Sequence, residues 1–324
     1  MGEAFAGRTV GKKAMLWGIL AQSIPDIDFV SSLWLNTIDH LLAHRGFTHS
    51  ILFALIISPL LAMLAERWHR PHNISYTRWL LFFGSAILLH IFLDAFNNYG
   101  VGWFEPFNHY RISFNILYVA DPFFSLAGGV AAIMLLLIRK KNTGRRFWWR
   151  FGLGISLLYL GYCVVNKIFI NNSVKKILAN QHISYNRFFT TPAPLQNWLW
   201  FVVAGNDTGY YTAYISVFDN NKNIDLHYFP RNDTLLSSLR DTTETKKLIR
   251  FSQQFYTLEK HGDTILFNDL RFGQIIGWQN PEERFAFYYY LQPELDNTLV
   301  VQRGRFAKWN KESFQALLYR IRGN

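Results

Sequence analysis

The sequence predicts a two-part membrane protein: an α-helical transmembrane bundle of about four to five spans over residues 1–171, then a soluble α+β domain over residues 172–324. Composition points to a membrane first, because 50% of the 324 residues are hydrophobic and 17% aromatic, while only 17% are charged. A soluble globular chain carries roughly 25% charged residues. The asymmetry between the halves points to two parts, since residues 1–171 hold 8 of the 22 acidic residues and the remaining 153 hold the other 14. Long apolar runs confined to the first part complete the case.

Four runs, about 47–65, 79–96, 119–138 and 151–170, are long enough to cross a hydrocarbon core of roughly 30 Å. A fifth, about 14–35, is interrupted by Pro25, Asp26 and Asp28. It reads as a helix that breaks near one membrane face, because irregular backbone at that depth must be buried in protein or face water. The basic residues orient these spans. The link 139–150 holds Arg139, Lys140, Lys141, Arg145, Arg146 and Arg150 with no acid; Arg67, Arg70 and Arg78 dominate the link 66–78; Arg8, Lys12 and Lys13 lie near the start. If the spans alternate, all three groups share one side, which the positive-inside rule makes cytoplasmic. Asp26 and Asp28, His44 and His49, His90 and Asp94, and Asp121 then fall at the opposite, outer ends of their segments. The same topology places residues 172–324 outside, in the periplasm of a bacterial cell, with Asn171-Asn172-Ser173 as the boundary.

In the second part, 198–204, 210–218, 284–291 and 298–302 are rich in β-branched and aromatic residues and bounded by turn formers, which predicts strands. Residues 246–259 and 310–322 carry helical periodicity instead, the latter through Phe314, Leu317, Leu318 and Ile321.

The net charge of +11 does not indicate nucleic acid, because the cations flank apolar spans rather than forming a stripe with interleaved aromatics. Membrane lipid is the expected partner. The single cysteine, Cys163, allows no disulfide or thiolate metal site within one chain. No cleavable signal peptide is expected at Met1, since the first apolar run starts at Ala14.

Ionisable groups in apolar segments cost several kcal/mol unless paired, so those here call for an explanation. His90 and Asp94, four apart on a helix, project from one face; they suit two ligands of one metal, one ligand and its supporting carboxylate, or a purely structural pair. His44 and His49, five apart, would diverge on an ideal helix. They converge only if the Gly46 region turns and the next helix starts near Thr48 or Ser50, both suitable caps; otherwise they face water from an interfacial loop. Asp26 and Asp28 repel each other unless a cation or proton lies between them, or unless both are solvated at the headgroups. His40 is a weaker candidate ligand. A shared metal explains Asp26, Asp28, His44, His49, His90 and Asp94 together. Nitrogen and oxygen donors without thiolates favour zinc, manganese or iron in a hydrolytic site, and six ligands favour two ions. Arg45 is the candidate to hold an anionic substrate oxygen, or else a lipid headgroup anchor. Asp121 is a supporting carboxylate or an N-cap for the span after Pro122. The pattern Asn97-Asn98-Tyr99-Gly100 closes the helix with a turn, and one of its asparagines is a weaker candidate to reach the site.

The order Ile24-Pro25-Asp26-Ile27-Asp28, then His44-Arg45-Gly46-Phe47-Thr48-His49-Ser50, then His90-Ile91-Phe92-Leu93-Asp94 resembles the YdjM-like family, inner-membrane proteins described as LexA-binding metal-dependent hydrolases. The resemblance covers roughly residues 3–138. It implies a multi-span bacterial inner-membrane protein with a metal-dependent hydrolase site, more distantly similar to zinc-dependent phospholipase C and P1-type nucleases. It also implies a further dozen or so residues ahead of Met1-Gly2-Glu3-Ala4, and makes the second part an addition.

The expected function is therefore membrane-bound, metal-dependent hydrolysis in which metal-activated water attacks a phosphoester, possible in a phospholipid, at the outer face; an amide or peptide bond is also open. A transporter-like protein and a non-catalytic metal-binding scaffold presenting the second part are the alternatives.

Overall fold

The computed structural model describes residues 1–71, 74–220, 224–239, 242–291, 306 and 308–323. Two compact units emerge. The first comprises Met1–Trp34, Ala43–Phe114 and Asp121–Tyr162, and the second Leu35–Leu42, Asn115–Ala120 and Cys163–Asn324.

In the first unit α1 (Gly2–Val10) and α2 (Lys13–Ser23) form a hairpin that turns at Gly11, φ 63°. Their crossing needs glycine, because a Cβ on Gly2 would lie 1.9 Å from the Ala14 carbonyl oxygen. At Pro25 the chain changes to a 3₁₀ helix, Pro25–Leu33; Ile24 keeps helical angles, φ −62° and ψ −41°, so the segment 14–35 breaks by a change of helix type and not by the extended residue that proline favours before it. After α3 (Thr37–Ala43) and a single 3₁₀ turn, Phe47–His49, come α4 (Ile51–Trp68) and α5 (Tyr76–Asp94). The Ser50 and Ser75 hydroxyls cap these two helices by accepting from the Phe53 and Arg78 N–H groups. α6 (Pro122–Leu137) and α7 (Gly144–Asn180) follow.

Among the described residues α4, α5 and α7 are long and apolar enough to cross a membrane. α6, with 16 residues, rises only about 24 Å. The expectation of four to five spans thus stands at three on length alone, with α6 and the broken α2 segment as the shorter pieces. α5 is central. Its Trp79, Phe82, Phe83, Ala86 and Ile87 pack against Ala54, Ala62 and Ala65 of α4 and Ala14 and Ala21 of α2, small residues that let the helices approach. The outward faces stay apolar: Leu55, Leu81 and Leu158 are each at least 60% exposed, as a lipid-facing surface requires.

The second unit holds two antiparallel sheets. β1 (Arg187–Pro192), β2 (Leu199–Gly205), β3 (Gly209–Ser216) and β4 (His227–Pro230) run as a meander, as do β5 (Tyr256–His261), β6 (Thr264–Gln274) and β7 (Phe285–Leu291). β2 is buried along its whole length because successive side chains serve opposite cores. Trp200, Val202 and Ala204 meet Ile170, Val174 and Leu178 of α7, while Leu199, Phe201 and Val203 share a cluster with Leu270, Phe285 and Leu317 of α9 (Lys311–Ile321). A third cluster joins β5–β7 to Leu248 of α8 (Thr243–Phe251) and Ile38 of α3.

The stretches 198–204, 210–218 and 284–291 are strands β2, β3 and β7, and 310–322 forms α9 behind an Asn310–Ser313 capping box; 298–302 lies outside the described residues. The helical reading of 246–259 holds only to Phe251. Gln253 and Gln254 take φ of 52° and 71°, and from Tyr256 the chain pairs along β6, so strand pairing overrides local periodicity. α7 runs unbroken through Asn171-Asn172-Ser173.

Candidate metal centre

Three breaks in the first unit bring its ionisable side chains together. Pro25 opens the 3₁₀ helix that carries Asp26 and Asp28. Arg45, at φ 57°, makes the turn ahead of the Phe47–His49 helical turn, while Gly46 itself has φ −88°; the left-handed residue of this break is the arginine. Ser50 then starts α4 directly after His49. α5 contributes His90 and Asp94 four residues apart in its last turns.

One ligand atom from each of Asp26, His49, His90 and Asp94 lies within 4.8 Å of the others. His49 Nε2 is 3.4 Å from Asp26 Oδ1 and 3.3 Å from Asp94 Oδ2. His90 Nε2 is 3.4 Å from His49 Nε2, 3.5 Å from Asp26 Oδ1 and 3.7 Å from Asp94 Oδ2. Four donors held tetrahedrally at about 2.0–2.2 Å from an ion would be separated by about 3.3–3.6 Å, so the spacing fits a divalent cation. Asp94 Oδ2 is buried and accepts no hydrogen bond from the described residues, a cost that a cation removes. His49 is fully buried, while the Asp26 side chain is 50% exposed and forms the open edge of the group.

Asp28 and His44, also expected as ligands, are outside the four-atom group and lie beside each other, with His44 Nδ1 3.0 Å from Asp28 Oδ1. Asp28 Oδ2 accepts from the Arg45 N–H at 2.8 Å and the Thr48 hydroxyl at 3.0 Å, and it lies 3.2 Å from His49 Nδ1. This buried carboxylate therefore aims His49 Nε2 at the four-atom group from behind, the usual support for a ligating histidine. Arg45 is 8% exposed. Its Nη1 donates to Asn97 Oδ1 at 2.7 Å, its Nε lies 3.2 Å from Asp94 Oδ2, and its guanidinium covers the Tyr99 ring. Asn97 thus reaches the site through Arg45. Asp121 caps α6 by accepting from the Phe123 and Phe124 N–H groups, and it accepts the Tyr159 hydroxyl at 2.9 Å. His40 lies in α3, within the Leu35–Leu42 stretch of the second unit.

The buried Arg111 was not legible in the sequence. Its Nη2 donates to the His44 carbonyl at 2.9 Å, fixing the turn before Arg45 from a loop closed by the Val101–Ile112 bridge. That loop has no periodicity to single Arg111 out. Thr48 could have been found as the hydroxyl beside His49.

Charge balance around the group also favours a cation. Three carboxylates, Asp26, Asp28 and Asp94, each bring an oxygen within 3.4 Å of a His49 ring nitrogen, and like charges this close call for a cation or a proton among them.

The inner membrane protein YbcI of Escherichia coli (strain K12) is 30% identical over 113 residues, 34% of this chain and 64% of YbcI. YfhP of Bacillus subtilis (strain 168) is 29% identical over 157 residues, 48% of this chain and 44% of YfhP. The alignments thus span less than two thirds of either relative. No solved structure matches the chain. The YdjM inner membrane protein family matches residues 1–169, a stretch that includes every residue of the four-donor group and just over half of the 324 residues. The chain belongs to the YdjM inner membrane protein family.

Proposed function

We propose that this inner-membrane protein is a metal-dependent hydrolase that cleaves a phosphoester at headgroup depth, with a phospholipid as the leading substrate. The observation that carries the reading is the convergence of Asp26, His49, His90 and Asp94 from three separate segments. Zinc is the first choice of ion, with manganese or iron as alternatives, because the donors are nitrogen and oxygen only. A bound ion would supply Lewis acidity and acidify a coordinated water.

The chain's own residues do the rest. Asp28 orients His49, and Arg45 holds Asp94 and neutralises part of the carboxylate charge. For Arg45 to steady an anionic substrate oxygen as well, it must share its guanidinium with Asp94; it reads first as a positioning residue. The half-exposed Asp26 marks the side from which substrate and water arrive. The basic links, on the positive-inside rule, favour a site at the outer end of the bundle and a periplasmic second unit.

Four protein donors also favour a second reading, a metal-stabilised scaffold that presents the second unit, because structural sites fill their coordination sphere while catalytic sites keep a position open. Metal analysis of purified protein, wild type against His49→Ala and His90→Ala, separates these readings when paired with turnover on phosphodiesters and phospholipids. The hydrolase reading expects metal and turnover in wild type and neither in the variants. Metal without turnover supports the scaffold, and wild-type protein without metal overturns both.

A further inference from the structure

A groove of about 730 Å³ in the first unit lies between α2 on one side and α6 and α7 on the other. It is a separate feature from the metal centre: α2 starts at Lys13 and ends at Ser23, ahead of Asp26, and its 11 residues rise about 16 Å. The groove walls are apolar. Leu16 and Ile19 of α2 are 66% and 61% exposed, and they face Ala132 and Leu135 of α6 and Gly152 and Leu153 of α7. Gly128 and Ala132 add little bulk to the lining, while Gly152 and Ala131 let α6 and α7 close on each other, since a Cβ on Gly152 would lie 2.7 Å from Ala131 Cβ.

The polar groups on this lining are not equivalent. Glu3 is neutralised by Arg145, whose Nε donates to Glu3 Oε1 at 2.9 Å. Gln22 Nε2 donates to the Ala86 carbonyl, and the Ser156 hydroxyl to the Phe124 carbonyl. Lys12 and Lys13 are exposed and line the groove at the start of α2, with Trp149 also on the lining. The lining therefore pairs an apolar slot with a cationic mouth at the basic end of the bundle, which is the chemistry that recognises an anionic lipid between spans.

We propose that this groove binds an anionic phospholipid, its headgroup phosphate at Lys12 and Lys13 and an acyl chain along α2, α6 and α7. The occupant follows from charge complementarity: a zwitterionic lipid offers the same phosphate but brings its own ammonium group beside the two lysines, whereas an anionic headgroup leaves their charge unopposed. The size falls within the range of ligand pockets, roughly 300–1,000 Å³. The proposal does not depend on the hydrolase reading, since none of these residues belongs to the metal centre.

The test is lipid retention by the full chain in mixed micelles containing equal amounts of phosphatidylglycerol and phosphatidylcholine, counted by native mass spectrometry. Wild type should retain phosphatidylglycerol in preference. The Lys12→Gln/Lys13→Gln variant should weaken its binding about 30-fold, and Ala132→Trp, which fills the slot while leaving both lysines, should displace it too. Arg139→Gln/Lys141→Gln, equally basic but off the lining, should leave retention within about threefold of wild type. Equal retention of the two lipids by wild type, undiminished phosphatidylglycerol in Ala132→Trp, or as large a loss in the Arg139/Lys141 control as in the Lys12/Lys13 variant would each overturn the proposal. The lysine substitutions are on the surface, so the test stands even if the tryptophan variant does not fold.

Discussion

The two units bury ionisable groups in opposite ways. In the second unit two carboxylates with well-shielded side chains are each gripped by one arginine. The Arg271 guanidinium grips Asp269 on the same strand, with Nε to Oδ1 at 3.0 Å and Nη2 to Oδ2 at 2.6 Å. Arg320 holds both oxygens of Asp219 at 2.7 and 2.8 Å. In the first unit Asp26, His49, His90 and Asp94 point at one another, and Asp94 Oδ2 is left without a hydrogen bond among the described residues. Glu3 and Arg145 show that this unit also pairs charges where pairing is the purpose. Burial of charge alone therefore does not mark a site; several donors from separate segments converging on a common point do.

That contrast can be broken experimentally. The largest effects should dissociate. His49→Ala should abolish metal retention, read by elemental analysis, while Asp269→Ala should leave metal content unchanged and destabilise the second unit by about 3–5 kcal/mol, read by urea unfolding in detergent, because it strands a buried guanidinium. Loss of metal in Asp269→Ala would erase the distinction.

A smaller effect is expected at Asp28, which supports His49 from behind. Asp28→Asn should weaken metal affinity about 10- to 100-fold without removing a donor of the four-atom group; complete loss would make Asp28 a ligand. Proton competition gives a third measure. Histidine and carboxylate ligands hold a metal in their deprotonated forms, so apparent affinity should fall as pH drops from 8 to 6. A flat titration by calorimetry in two buffers would contradict it. Gly46→Val should have the smallest effect, a few-fold loss of affinity. Gly46 adjoins the Arg45 turn, where the Arg45 carbonyl accepts the Gly102 N–H at 2.9 Å, and added bulk would shift His49 without removing it. Unchanged affinity would show that this turn absorbs the substitution.

Much of the site was legible because apolar segments exclude ionisable groups, so each histidine and carboxylate within one stood out. The spacing of His90 and Asp94, the break at Pro25 and the cap at Ser50 follow from local rules. The division of labour was not legible. Asp26 and Asp28 are equivalent as residue types, yet one faces the four-atom group and the other supports two histidines. Arg45 reads as an anion binder in sequence and is engaged with Asp94 and Asn97 in the fold. The 246–259 stretch has helical periodicity, but its end is claimed by β6.

By itself, the sequence determined the membrane character of the first part, the β-rich character of the second, and the three segments that carry the candidate ligands, since these rest on composition, periodicity and the cost of burying charge. Tertiary structure decided which donor atoms meet. That depends on the phase of α5 against α2 and α4, and on a turn at Arg45 that aims His49 at Asp26 rather than away from it. Side-chain direction over a few ångströms is set by packing from distant parts of the chain, and no local pattern encodes it.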